Sequence, residues 1–165
     1  MYGKILVPVD GSEASTLGLN EAIAIAKSQG SQIRLVHIVN EFILDYTYSP
    51  CLYATNLIES LRKNGRTILD LAETLVQRHG ITPESVLLES IGGRAADLIL
   101  AQAKEWPADL IVMGTHGRRG LARVAMGSEA EEVVRASTIP VLLVRGIPQQ
   151  GQQVAKVPTV EASAA

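Results

Sequence analysis

The stretch Lys4-Ile-Leu-Val-Pro-Val-Asp-Gly-Ser12 is a short, continuously apolar run closed by a turn, the pattern of a strand buried on both faces. Pro8 offers no amide to a central ladder, so it belongs at the strand's exit. Downstream, Leu19, Ala22, Ile23 and Ala26 share one helical face, and Gly30 ends that helix. Residues 33–39 repeat the buried-strand pattern, and residues 40–49 are polar-aromatic and irregular. A long helical stretch follows, with Leu57, Leu61, Gly65, Ile68, Ala72 and Leu75 in one stripe and His79-Gly80 at its end. The alternation then continues: a strand at 86–89, and a helix at 94–106 with Ala95, Leu98 and Ile99 inward. A strand at 109–113, a helix from Ser128 burying Ala130, Val133 and Val134, and a strand at 140–145 complete it. Five strands alternating with four helices imply an α/β fold, an open, mainly parallel sheet with helices on both faces. After Gly146 the composition turns to Gln, Ala, Val and Pro without periodicity. The expected organisation is one domain over 1–146 and a disordered tail over 147–165.

Composition agrees with a single globular unit. The chain has 165 residues, 47% apolar, 19% charged and only 4% aromatic, so a sizeable core must be built from Ala, Val, Ile and Leu. Fifteen Lys and Arg against 17 Asp and Glu leave a net charge of −2, which argues against coating nucleic acid or an anionic membrane. The single cysteine, Cys51, excludes an intrachain disulfide framework and a Cys-rich zinc site. No run reaches the roughly 18 apolar residues of a spanning helix. The run at 5–9 is cut by Asp10, too short for a signal-peptide core. A soluble cytoplasmic domain, with neither nucleic acid nor membrane as partner, is the expectation.

In an open α/β sheet, ligands bind beyond the carboxyl ends of the strands, where strand order reverses. One connection at that edge is unusual. Between Met113 and Ser128 runs Gly114-Thr-His-Gly-Arg-Arg-Gly-Leu-Ala-Arg-Val-Ala-Met-Gly127, far longer than the roughly 2–6 residues usual there. It contains Gly114, Gly117, Gly120 and Gly127, the arginines Arg118, Arg119 and Arg123, and no carboxylate. Glycines let backbone amides approach a ligand closely. The last one leads into a helix N-terminus, whose unpaired N–H groups and partial positive charge favour phosphate. Ser128 adds a hydroxyl. Physically this is a polyanion cradle, and the alternative is a surface loop with incidental glycines.

The spacing Gly114, two residues, Gly117, nine residues, Gly127-Ser128 resembles the signature of the ATP-binding universal stress protein family. The resemblance extends over about residues 1–145, through the opening Lys4–Ser12 quoted above, Arg34-Leu-Val-His-Ile-Val39, Asp109-Leu-Ile-Val-Met-Gly-Thr-His-Gly117 and Ile139-Pro-Val-Leu-Leu-Val-Arg145. It implies an adenine nucleotide alpha hydrolase-like fold with strand order 3-2-1-4-5, the first and fourth strands meeting at the switch point. Pro8, Val9 and Asp10 would then wall adenine and ribose, and Ile38, with its neighbours His37 and Val39, would form the other side of the adenine slot. Met113 and Gly114 would flank the ribose. Gly117, Gly127, Ser128 and the amide of Glu129 would cradle the triphosphate, beside Arg118, Arg119 and Arg123.

Many relatives carry a small or apolar residue where Glu129 stands. A carboxylate there complements the helix dipole but repels phosphate unless it points away or meets a metal, which leaves AMP and ADP open beside ATP. The implied cofactor is ATP (or AMP or ADP), with Mg²⁺ as an optional companion. The implied function is a stress-response regulator or sensor with slow or no hydrolysis, and the alternative is a slow ATPase or an adenylyl- or phosphoryl-transfer enzyme. The apolar strand Val141–Val144, at the sheet edge in that order, is the expected homodimer contact.

Other chemistries find less support. Asp10, His116 and Ser128 supply triad residue types, but Gly-x-Ser-x-Gly is absent. Neither Gly-x4-Gly-Lys-Ser/Thr nor a Gly-x-Gly-x-x-Gly after the first strand occurs. His37, on a buried strand, reads as a satisfied core histidine, and Asp70 and Glu73 read as a solvated helix face.

Overall fold

The computed structural model describes residues 1–40, 52–90, 92–115 and 126–145. Strand and helix alternate as β1 (Lys4–Pro8), α1 (Glu13–Gln29), β2 (Gln32–Asn40), α2 (Leu52–Gln77), β3 (Glu84–Ser90), α3 (Ala95–Glu105), β4 (Leu110–Gly114), α4 (Ser128–Ala136) and β5 (Val141–Val144). The strands form one sheet in the order β3-β2-β1-β4-β5, and all four pairings are parallel. The chain winds outward from β1 to β3, returns to the other side of β1 as β4, and continues to β5. Right-handed crossovers then put α1 and α2 on one face and α3 and α4 on the other. Alternate strand residues feed two cores. Ile5, Val7, Ile33 and Leu35 face α1 and α2, while Leu6, Val36, Ile111 and Met113 face α3 and α4.

Local chemistry sets the helix ends. Ser12 caps α1, its Oγ accepting from the Ser15 amide at 3.1 Å, and Gly30 closes it in the left-handed region at φ 71°. Gly65 in α2 has a packing reason. A Cβ there would stand 2.7 Å from His37 Cδ2 and 2.8 Å from Leu87 Cδ1, so its absence lets the helix settle on β2 and β3.

Some inward-facing expectations shift. On α4, Ala130 and Val133 are buried but Val134 is 43% exposed. Consecutive helical residues point about 100° apart, and on this short helix Val133 takes the inward direction while Val134 falls outside the buried face. On α2, Ile68 and Ala72 are buried as expected, whereas Leu57 is exposed and Leu69 and Val76 are buried instead. On α3 the buried positions are Ala96, Ile99 and Ala103, with Ala95 and Leu98 only half-buried. Glu73, expected on a solvated face, accepts a hydrogen bond from the Ser85 hydroxyl and ties α2 to β3.

The amino-terminal edge of the sheet is filled by structural contacts. Arg34 and Lys4 lie against the buried Trp106 ring, 4.8 and 5.2 Å from its centroid. Asp109 accepts from the Gly3 and Lys4 amides, each at 2.8 Å. Among the described residues no helix is long and apolar enough to cross a membrane.

Candidate functional site

The carboxyl edge is built differently. At the exit of β1, the Val9 amide donates to the Val36 carbonyl at 2.8 Å, carrying the strand one residue further and burying Val9. His37 Nδ1 lies 2.6 Å from the Val9 carbonyl oxygen, a contact that requires Nδ1 to carry the proton. The ring is 6% exposed, so it is a core histidine as expected, and it also fixes the backbone beneath Asp10. Asp10 turns the chain: its Oδ1 accepts from the Ser12 amide at 2.9 Å, and its own amide donates to Ser15 Oγ at 3.2 Å. Pro8 and Ile38 sit half-buried beside these groups on β1 and β2.

The end of β4 meets α1 at very close range. A Cβ on Gly114 would lie 2.6 Å from the backbone carbon and oxygen of Ala14, and one on Gly18 would lie 3.1 Å from the Gly114 nitrogen. Backbone-to-backbone contact, not a ligand, therefore accounts for glycine on that face of residue 114. Beyond it, the Thr115 amide donates to the Val144 carbonyl at 3.0 Å, and the Gly127 amide donates to the Thr115 carbonyl at 2.8 Å. These two bonds pin the start of α4 beside the end of β4. Met113 is buried beneath them.

Gly127 is the N-cap of α4, at φ −62° and ψ 143°, and no side chain caps the helix. The Glu131 amide is bonded to the Gly127 carbonyl at 3.0 Å. The amides of Ser128, Glu129 and Ala130 precede it, where helix geometry supplies no acceptor. Three donors and the positive end of the helix dipole thus sit at the switch point between β1 and β4. The start of α1, by contrast, is closed by Ser12. That of α3 also lacks a side-chain cap, but it follows the edge strand β3.

Three carboxylates stand on α4 near this end. Glu131 pairs with Arg135 at 2.6 Å, and Glu132 pairs with Arg94, the N-cap of α3, at 3.4 Å. Glu129 has no cation partner among the described residues. Although the residue keeps solvent exposure, desolvation raises its carboxyl above the ordinary value, and the charges of Asp10 and Glu132 push the same way.

One edge of the sheet therefore gathers Pro8, Val9, Asp10, Ile38, Met113, Gly114, Gly127, Ser128 and Glu129. Gly117 and Arg118 lie outside the described residues, as do Cys51, His116, Arg119, Gly120 and Arg123. Thr115 is the residue the sequence reading passed over. Its carbonyl anchors Gly127, a backbone role that no side-chain pattern announces.

The universal stress protein family matches residues 1–145. The universal stress protein YxiE of Bacillus subtilis is 32% identical, over 88% of this chain and all of its own length. The universal stress protein MJ0531 of Methanocaldococcus jannaschii is 33% identical, over 88% of this chain and 83% of its own. Among solved structures, that of MJ0577, also from Methanocaldococcus jannaschii, superposes with a TM-score of 0.77 at 24% identity, covering 89% of this chain and 98% of the other. Two further structures, each 24% identical and covering 87% of this chain, share the fold. One is a universal stress protein in complex with cAMP (TM-score 0.63, 97% of its chain). The other is the Archaeoglobus fulgidus universal stress protein in complex with dAMP (TM-score 0.61, 98% of its chain).

Proposed function

Because the chain belongs to the universal stress protein family, we propose that it binds an adenine nucleotide, ATP included, at the carboxyl edge of β1 and β4, and serves as a cytoplasmic regulator or sensor of the stress response with slow or no hydrolysis. The observation that carries this reading is the uncapped start of α4, held at the switch point by Thr115 and Gly127. Its amides suit phosphate oxygens, and the Ser128 hydroxyl adds a donor. Pro8, Val9 and Asp10 on one side, Ile38 on the next strand, and Met113 and Gly114 opposite suit the flat base and the ribose. Gly117 and Arg118 complete the proposed cradle. The fold relatives in complex with cAMP and dAMP support an adenine monophosphate as a ligand class.

The make-up of the crevice favours holding over turnover. Among the described residues it offers amides, apolar walls and two carboxylates, Glu129 and an Asp10 tied into its own turn, rather than an evident base aimed at a water. Mg²⁺ accompanying ATP would bind through phosphate oxygens, as it commonly does. Among the described residues no group of three or more His, Cys, Asp or Glu side chains could hold a metal.

The reading includes a homodimer through β5. All four residues of Val141–Val144 are half-buried and carry no charge, whereas the opposite edge strand β3 exposes Glu84, Ser85 and Glu89, which discourage pairing. To test the nucleotide, the purified protein is denatured and its small-molecule fraction analysed, then the refolded chain is titrated with ATP, ADP and AMP. Co-purified or titratable adenine nucleotide supports the proposal. A nucleotide-free protein that binds none of the three refutes it.

A further inference from the structure

The ladder between β1 and β2 stops one bond short of what its register allows. The strands pair up to Pro8 and Val36, and the Val9 amide adds a bond to the Val36 carbonyl at 2.8 Å. In a parallel ladder the next bond would run back from the Ile38 amide to the Val9 carbonyl. Among the described residues that bond is not formed. The Val9 carbonyl accepts from His37 Nδ1 instead, at 2.6 Å. The buried imidazole is held in place by α2: a Cβ on Gly65 would stand 2.7 Å from its Cδ2 and 3.2 Å from its Nε2. Leu87, its partner in register on β3, adjoins the same glycine. An apolar side chain could fill this space. What histidine adds is a donor that competes with a backbone amide for one carbonyl.

We propose that His37 is a positioning residue for the base of the nucleotide: by occupying the Val9 carbonyl it ends the ladder, keeps the exits of β1 and β2 apart, and leaves the Ile38 amide as a donor in the gap. The inference rests on the nucleotide-binding reading above and deepens it. Val9 leads directly into Asp10, whose turn is closed by the Ser12 amide. The carbonyl that His37 holds belongs to the planar peptide joining those two residues, so the imidazole also sets how the wall of the crevice is presented. Without that donor the carbonyl of the buried Val9 would be left unsatisfied, which costs more than a hydrogen bond contributes. The nearest remedy is the Ile38 amide. Taking it would draw β1 onto β2 by one more bond and consume the donor. Histidine at this position therefore holds open a gap that sheet formation alone would close.

The experiment compares the full chain with His37→Leu, which keeps bulk without a donor, and His37→Asn, whose side-chain amide can stand where Nδ1 stands. Calorimetric titration gives the affinities for adenosine and ATP, and amide-resolved hydrogen exchange reads Ile38. In the free wild type the Ile38 amide should exchange on the order of tenfold faster than that of Val36, inside the ladder, and bound adenosine should slow it. His37→Leu should weaken adenosine and ATP by the same factor, on the order of tenfold, the worth of about one hydrogen bond. It should also slow Ile38 exchange in the free protein, as the ladder takes up that amide; a merely structural loosening would speed it. His37→Asn should bind within about threefold of the wild type. An Ile38 amide as protected as that of Val36 in the wild type, or one that adenosine does not slow, would overturn the inference. So would a folded His37→Leu protein with unchanged affinity for adenosine, or a His37→Asn protein as weak as His37→Leu. Should His37→Leu fail to fold, Ile38 exchange in the wild type and the affinity of His37→Asn decide. If the wild type binds neither adenosine nor ATP, it is the nucleotide reading that fails, and this inference with it.

Discussion

Ser128→Pro separates the phosphate-binding role of the α4 amides from their structural role. Proline is favoured at the first position of a helix, where its missing N–H has no helical partner. It also requires an extended residue before it, and Gly127 already stands at φ −62° and ψ 143°, inside the region a following proline demands. The substitution therefore removes one amide donor and the hydroxyl from the cradle while α4 keeps its geometry. A hydrogen bond to a charged group contributes about 1.5–3 kcal/mol, so loss of the amide should weaken ATP roughly 10- to 150-fold. Ser128→Ala removes the hydroxyl alone and isolates that share. Adenosine, which lacks phosphate, should bind both variants as it binds the wild type. Calorimetric titration gives the affinities, and circular dichroism with thermal melting checks the fold. A folded Ser128→Pro protein with wild-type affinity for ATP would refute the assignment of phosphate to the start of α4.

Other expectations follow from particular contacts. Gly114→Ala places a Cβ 2.6 Å from the Ala14 backbone, which α1 can escape only by moving; a loss of about 3 kcal/mol, read as a fall in Tm of roughly 6–12 °C, is expected, and an unchanged Tm would show that the helix does not lie there. Because the folded chain raises the Glu129 carboxyl, the native state holds its proton to higher pH than the unfolded state, and ionisation of Glu129 lowers stability as pH rises through that window. Glu129→Gln should accordingly melt higher than wild type at pH 7, the gap closing as pH falls below the ordinary carboxylate value of about 4.3; a gap that persists at pH 3 would contradict this sign. Sedimentation should give a dimer mass that dissociates on dilution, and a concentration-independent monomer would remove β5 as an interface. Deletion of residues 149–165, read from sequence as a non-periodic tail, should leave the Tm nearly unchanged.

The order of elements was legible because apolar runs closed by turns and capped helical faces are local signals. Ser12, Gly30 and Gly80 mark ends that the chain uses, and Leu19, Ala22, Ile23 and Ala26 are buried together. The phase of the longer helices was less legible. Leu69 and Val76 are buried and Leu57 is exposed because of where α2 crosses β2 and β3, and the close approach of Gly65 to His37 and Leu87 is a tertiary fact with no sequence period. At the proposed site, the glycine spacing ends at Gly127, the N-cap of α4. The same pattern hid two different reasons for glycine: Gly114 makes room for α1, whereas Gly127 leaves a helix end uncapped. The charge arrangement on α4 was half visible. Glu129 stood out from sequence, but only the pairing of its neighbours with Arg135 and Arg94 shows that it is the one left without a cation partner among the described residues.

An amide-resolved NMR titration of the isotope-labelled chain with ATP tests the central claim most directly. The account predicts that the largest shifts fall on the amides of Val9, Asp10, Gly127, Ser128 and Glu129, from two elements far apart in sequence and adjacent at the switch point. Shifts that instead gather along the groove between α1 and α2, near Leu71, Leu75 and Arg78, or no shifts at saturating ATP, would contradict it.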